Sequence, residues 1–437
     1  MERIGIGLLG LGTVGTGVVR LLTEEGNRMT RRAGRALTIE RVLVRDLSKK
    51  RNVEVSPARL TTNFDDILHD PSIDIIAEAA GGVEPAKTWI LRALASGKHV
   101  VTANKALLAE HGAELFEAAR RHRRALAFEA SVGGGIPIIQ SLSVALAANQ
   151  IKSLAAILNG TCNFILTSMS DAGLPYEVAL RQAQGLGYAE ADPTMDVDGT
   201  DTAHKLSILA QVAFDADAKI ERIPRQGIDR LALADLRYAA ELGYAIKLLA
   251  LANLVGDELA VRVAPTLVKH GAPLADARGP YNAIRVVGDA VGDTLFYGRG
   301  AGSLPTASAM VGDIIDVATG RAVISSSMLS PWGAKDSSRP LAPPERVRSR
   351  NYFRFTIADR PGVLASIAKA LGDEGISIAS VIQHDPGEDE GADPAVPAVP
   401  LVVMTHSAPE SSVAAALATI DRMGVVKAPS VRLGVLD

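Results

Sequence analysis

Apolar and small residues alternate over residues 3–9, and GLGTVG at 10–15 then leads into TGVVRLLTEEG, where Val14, Val18, Leu21 and Leu22 recur at helical spacing. This pattern predicts a strand, a glycine turn and a helix. Apolar runs at 37–46 and 72–82 predict two more strands. Glu84 and Pro85 suit a first helical turn, and the helix they open precedes another strand over 98–105. Strands alternating with helices through residues 1–130 imply an α/β, Rossmann-type doubly wound parallel sheet. After PIIQSLSVAL, strands such as SLAAILNGT and LLALANLV are separated by helices, which predicts a second, α+β domain over 131–299. The segment 298–320 begins as a loop and ends as a helix, so residues 300–331 are expected to return and complete the first domain.

Residues 332–348 are proline-rich and charged, as a linker is. Beyond them, residues 349–437 read strand, helix, strand, strand, helix, strand, a βαββαβ unit. Its acidic, Gly/Pro-rich segment 387–398 has no core-forming pattern and is expected to be mobile.

A chain of 437 residues fits two or three domains of this kind. With 47% hydrophobic residues and a formal net charge of -3, it reads as a soluble globular protein without a dedicated nucleic-acid surface. RRAGR at 31–35 is read as a solvated loop. The opening MERIGIGLLG alternates like a strand, so neither a signal peptide nor a membrane span is expected, and the cytoplasm is the expected compartment. The single cysteine, Cys162, excludes a disulfide framework within the chain and cannot alone build a thiolate zinc site.

Candidate chemistry concentrates in GYAEADPTMDVDGTDTAHKLSILA at 187–210. Asp201 and Lys205 stand four apart and share a helix face, while the helix around Lys205 is otherwise almost uncharged. A lysine there is either half of an ordinary salt bridge or a group whose pKa is tuned for proton transfer. Gly10, Gly12 and Gly15 follow a strand and open a helix, the context in which a GxGxxG turn lets backbone N–H groups and a helix N-terminus receive a pyrophosphate. Arg45 at the end of the second strand suits the 2′-phosphate of NADP, and Asp46 beside it suits the ribose hydroxyls of NAD; Lys49 and Lys50 tilt the balance to NADP. A multi-ligand zinc site and a Tyr-x-x-x-Lys relay are both missing, which makes Lys205 the leading acid/base for hydride chemistry.

GLGTVG, TANK at 102–105, EASVGGGIP at 129–137, NGTCN at 159–163, GYAEADP and DTAHK together resemble homoserine dehydrogenases, in the family's order and over nearly the whole chain. The terminal unit with DRPGVLASIAKAL resembles an ACT regulatory domain. The resemblance implies NAD(P)-linked interconversion of L-homoserine and L-aspartate 4-semialdehyde, a step toward threonine, methionine and isoleucine. It makes Lys205 the acid/base with Asp201 and Lys105 beside it, and gives Glu190, Asp196 and Asp201 to the substrate. To the cofactor it gives Gly10, Leu11, Gly12, Thr13, Val14, Gly15, Arg45, Lys105, Gly187, Glu190 and Gly302. It also implies a sodium site at Glu129 with the carbonyls of Val132, Gly134 and Ile136. By the same analogy the middle domain forms a homodimer or homotetramer. Asp359 and Gly362, where a strand ends and a helix opens, are expected to receive an effector carboxylate, with L-threonine the effector. Removal of residues 349–437 is then expected to abolish that response while leaving oxidation largely intact.

Three other readings compete. DVDGTD at 196–201 lacks the glutamate that closes a calcium loop. Cys162 is a nucleophile only if the chain is a semialdehyde dehydrogenase working through a thiohemiacetal; otherwise it is a small packing residue. A non-catalytic sensor of cofactor and amino acid gives no reason for Lys205, Asp201, Lys105 and Glu190 all being present.

Overall fold

In the computed structural model, residues 3–328, 338–384 and 398–436 are described. Part of the expected linker and nearly all of the acidic segment 387–398 lie outside them. The chain divides into two compact units. The first comprises Met1–Gly160, Asp201–Ile223 and Pro280–Pro340.

Its centre is a six-stranded parallel sheet: β1 (Arg3–Leu9), β2 (Ala36–Leu43), β3 (Leu60–Thr61), β4 (Ile75–Glu78), β5 (His99–Thr102) and β6 (Leu126–Ala127), in the order β3-β2-β1-β4-β5-β6. Strands β1 and β4 are buried on both faces, which is why they read as near-continuous apolar runs. Four helices of this unit matter below: α1 (Thr13–Glu24), α2 (Lys105–His122), α3 (Thr200–Phe214) and α4 (Ser303–Ala318). Helix α4 is late in the chain, yet its Ala307, Met310, Val311 and Ile314 share one core with Val18 and Val19 of α1 and with Ile6 and Leu8 of β1. Gly17 makes that approach possible, because a Cβ there would lie 2.5 Å from the Ser303 carbonyl oxygen. The unit also holds an antiparallel set in which Tyr281–Gly288 pairs with Ile151–Ile157 on one side and Gly292–Arg299 on the other.

The second unit comprises Thr161–Thr200, Pro224–Gly279 and Leu341–Asp437. The segment 131–299 is thus divided between the units. A long hairpin, Tyr244–Val255 with Glu258–Lys269, is the core of this unit's non-terminal part. The terminal βαββαβ unit forms as the pattern predicts, with strand order Val426–Leu436, Arg348–Ala358, Ala398–Thr405, Ile378–Gln383. Its helices Val363–Asp373 and Glu410–Ile420 bury Ile367, Leu371, Val413 and Ile420 against Phe353, Phe355, Leu401 and Val403 of the strands.

This terminal unit is joined to the hairpin rather than hung from a tether. Gly434, Val435 and Leu436 pair in parallel with Thr266, Leu267 and Val268. Asp235, on helix Leu233–Glu241, is fully buried and accepts two hydrogen bonds from the Arg354 guanidinium, at 2.6 and 3.0 Å. The Tyr352 hydroxyl donates to the same carboxylate at 3.2 Å. Burial, then the neighbouring Asp235, pushes the Tyr352 phenol far above its ordinary range. Glu410 likewise accepts from Arg262, Arg432 and the Ser349 hydroxyl.

Candidate functional site

Helix α3 carries twelve buried residues along its length, among them Asp201 and Lys205, which are 5% and 9% exposed. Two charges persist there because each is paired and hydrogen-bonded. The Lys205 ammonium donates at 2.7 Å to Asp201 Oδ2 and at 2.7 Å to the Leu158 carbonyl, just beyond strand Ile151–Ile157. Lys105 opens α2 directly after β5, at the carboxyl end of the parallel sheet, and its ammonium meets Asp201 Oδ1 at 2.7 Å. Asn104 caps that helix by accepting the Leu107 N–H. One carboxylate therefore serves two lysines. Burial alone would raise the Asp201 pKa, but the Lys205 and Lys105 charges outweigh it and hold the group far below the usual carboxylate range. The Lys105 side chain is 39% exposed against 11% for Lys205, so Lys105 is the more open member of the trio.

At the amino end of α1, Gly10 adopts φ +96°, and a Cβ there would lie 2.8 Å from the Ala79 carbonyl oxygen. A Cβ on Gly15 would overlap the Gly10 carbonyl, whereas nothing lies within 4 Å of one on Gly12. The turn is thus tight at its first and third glycines and open at the second. Helix α1 has no side-chain cap at its N-terminus. Gly302, at φ +122°, opens α4, and the Ser303 hydroxyl donates to the Thr13 carbonyl at 2.6 Å. Leu11, Thr13 and Val14 lie within this turn and the first residues of α1.

Glu78, at the end of β4, is a component that motif reading missed. It is fully buried, accepts the Thr102 hydroxyl at 2.6 Å and takes the N–H groups of Ala80 and Gly81 at 2.9 Å. Asn104 completes the brace by donating to the Gly82 carbonyl. Burial raises the Glu78 pKa against the pull of these donors. The available signal was an acid ending the apolar run SIDIIAE.

Beyond β2, Arg45 is exposed and Asp46 is turned onto its own loop, where its carboxylate accepts the Ser48 N–H at 2.8 Å and hydroxyl at 2.7 Å. Those two bonds lower the Asp46 pKa.

Glu129 lies in the turn Glu129–Ser131 and accepts the N–H groups of Ile139 and Gln140, at 2.9 and 2.8 Å. Its own N–H donates to Asp313 at 2.9 Å. Burial pushes the Glu129 carboxyl up to about 7 and Asp313 well above the usual carboxylate range. Gly133 and Gly134 are left-handed, at φ 74° and 57°, and the Ile136 carbonyl accepts the Ile138 N–H. Val132 is fully buried in the same loop.

Gly187, Glu190 and Asp196 belong to the second unit. Gly187 is left-handed and exposed, Glu190 is exposed, and Asp196 is half-buried on the short helix Thr194–Val197. Two of the neighbouring acids are spent on local turns: Asp192 accepts from Thr194 and Asp198 from Thr200. Cys162 is fully buried on helix Gly160–Ala172 and donates its thiol proton to the Asp196 carbonyl at 3.2 Å, the setting of a packing residue. Asp359 and Gly362 are exposed, and Gly362, at φ 89°, is itself the N-cap of helix Val363–Asp373. Pro361 therefore precedes the helix. No helix among the described residues is long and apolar enough to cross a membrane.

The chain is 41% identical to a homoserine dehydrogenase of Pseudomonas aeruginosa over 442 aligned residues, spanning 100% of this chain and 99% of that protein. The chain belongs to the homoserine dehydrogenase family. Residues 137–315 match the homoserine dehydrogenase family description, residues 10–129 its NAD-binding domain, and residues 352–424 the ACT domain. The crystal structure of a homoserine dehydrogenase from Thiobacillus denitrificans superposes with a TM-score of 0.90 at 43% identity, covering 100% of this chain and 99% of that one. A hyperthermophilic archaeal homoserine dehydrogenase in complex with NADPH superposes with a TM-score of 0.59 at 25% identity, covering 72% of this chain and 98% of that one. The activity is accordingly that of a homoserine dehydrogenase, an oxidoreductase that interconverts L-homoserine and L-aspartate 4-semialdehyde with a nicotinamide cofactor. The family expected from the motifs is the one found, and the Cys162-dependent and sensor readings fall away.

Proposed function

We propose that Lys205 is the acid/base of this reaction, with Asp201 as its counterion and Lys105 as the second cation of the site. The observation that carries this reading is the sharing of one buried carboxylate by two lysines. A single negative charge cannot fully stabilise two ammonium groups, so losing one proton is easier here than from an isolated Lys–Asp pair. When bound, the nicotinamide dinucleotide supplies the hydride acceptor or, in reverse, the donor. In the oxidative direction Lys205 takes the proton of the substrate hydroxyl as the aldehyde forms, and it returns that proton to the alkoxide in reverse. Asp201 keeps the protonated lysine stable between the two steps. By family analogy Glu190, Asp196 and Asp201 are assigned to the substrate, whose ammonium group needs acceptors of this kind.

The cofactor is NADP in preference to NAD. The glycine turn, the uncapped start of α1 and Gly302 fit a dinucleotide, and Gly187, Glu190 and Lys105 are assigned to the cofactor by family analogy. Asp46 has already committed its carboxylate to Ser48, while Arg45 stands exposed. The archaeal relative was solved with NADPH. Arg45→Ala is expected to raise KM for NADP by about tenfold while changing KM for NAD by less than about twofold, because only NADP offers a 2′-phosphate to a guanidinium. Steady-state kinetics with both cofactors read this directly, and equal changes would place Arg45 outside the site.

A sodium ion at Glu129, Val132, Gly134 and Ile136 is part of the same reading. Left-handed glycines at 133 and 134 turn successive carbonyls, and a cation would relieve the two buried acids, Glu129 and Asp313. The Glu129 oxygens already accept two N–H groups, so they would serve the ion through their remaining lone pairs.

The ACT domain is assigned L-threonine as effector, with Asp359 and Gly362 at the binding loop. The uncapped, glycine-started helix supports carboxylate binding, and the shared strands and ion pairs of the second unit give binding a route outward. Titration calorimetry of the full chain is expected to show threonine binding, and saturating threonine to lower the oxidation rate. Absence of both effects contradicts the effector assignment and leaves the enzyme assignment standing. The enzyme is further proposed to be a homodimer or homotetramer, a reading supported by the exposed Leu295 and Tyr297 on edge strand Gly292–Arg299.

A further inference from the structure

Asp201 has a third partner besides its two lysines. Asn159, 4% exposed, donates from Nδ2 to Asp201 Oδ2 at 2.9 Å. That oxygen also accepts the Lys205 ammonium at 2.7 Å, while Oδ1 faces Lys105 at 2.7 Å. The preceding residue, Leu158, gives its carbonyl to the same ammonium at 2.7 Å. Two consecutive residues therefore grip both halves of the pair, one through its backbone and the next through its side chain.

We infer that Asn159 is a positioning residue of the reaction, whose carboxamide orients the Asp201 carboxylate so that one oxygen serves Lys205 and the other Lys105. The terminal torsion of an aspartate is broad, so a carboxylate between two cations turns easily unless a third group fixes its plane. Asn159 does this without charge. An acid in its place would add a second anion beside Lys205 and favour the protonated lysine; an apolar residue would leave Oδ2 with the lysine alone. A neutral donor shares the electron density of Oδ2, weakens its hold on the Lys205 proton and so favours the base form of the lysine. The NGTCN motif thus contributes to the acid/base pair through its first residue.

This inference rests on Lys205 being the acid/base, and the test separates the two. The rate of L-homoserine oxidation is measured against pH for the full-length wild type, Asn159→Ala, Asn159→Ser and Lys205→Ala, with thermal unfolding recorded for each. Asn159→Ala is expected to lower kcat about tenfold and to move the rise of kcat/KM upward by about one pH unit, with KM for NADP unchanged. Asn159→Ser, which keeps a shorter donor, is expected to fall between wild type and Asn159→Ala. A lower plateau with an unmoved rise would mean a structural role and overturn the inference. Should Asn159→Ala fail to fold, Asn159→Ser is judged by the same criterion. Persistence of the rise in Lys205→Ala would overturn the reading of Lys205 itself, whereas its loss there and fixity in the Asn159 variants would overturn Asn159 alone.

Discussion

Lys205→Ala is expected to lower turnover by roughly two to four orders of magnitude, the range associated with losing a positioned acid/base. The reason is specific to the site. Lys205 is the sequestered lysine, held between Asp201 and the Leu158 carbonyl, and removal of its ammonium leaves Lys105 on the other oxygen of the carboxylate. Lys105 enters from a different helix and cannot reproduce the Lys205 geometry. Asp201 remains paired through Lys105 and Asn159, so the fold is expected to survive and KM for the cofactor to change little. Rapid-mixing and steady-state rates, beside a circular dichroism spectrum, check both halves of the statement. A folded variant with wild-type turnover would reject the role of Lys205.

Asp235→Ala is expected to destabilise the second unit by about 3–5 kcal/mol, the cost of breaking a buried ion pair from one side. Asp235 is fully buried, and its loss leaves the Arg354 guanidinium, with a side chain only 15% exposed, without the carboxylate that receives two of its N–H groups. The Tyr352 hydroxyl loses the same acceptor. The urea midpoint should fall markedly, while a conservative change at an exposed pair such as Lys369–Asp373 should move it little. A midpoint within experimental error of wild type would show that Arg354 finds another partner. Because Asp235 and the pairing of Gly434–Leu436 with the hairpin tie the ACT strands to the rest of their unit, removing residues 349–437 should destabilise that unit.

Most of the architecture was legible because each element carried its own local signal. The β1–turn–α1 unit announced itself by alternation followed by helical spacing, and the terminal βαββαβ unit by six clean segments. The partition of 131–299 between two units was invisible, since periodicity reports elements and says nothing of which distant element packs beside them. Within the site, the Asp201–Lys205 pairing followed from their four-residue spacing on one helix. The approach of Lys105, about a hundred positions earlier in the chain, came only through family resemblance. Glu78, Asn159 and Gly17 went unnoticed for a common reason: each acts through a contact with a segment remote in sequence or through a turn whose path only the fold reveals. The buried acids Glu129 and Asp313 are 184 positions apart, beyond the reach of any local pattern.

Whether this chain oxidises L-homoserine through Lys205 is decided by a single assay. Purified full-length protein and Lys205→Ala are each mixed with L-homoserine and NADP, and the absorbance of reduced nicotinamide is followed. Homoserine-dependent reduction of NADP by the wild type is expected, with a rate roughly two to four orders of magnitude lower for the variant. Reduction of neither NADP nor NAD by the wild type, or equal rates for the two proteins, would contradict it.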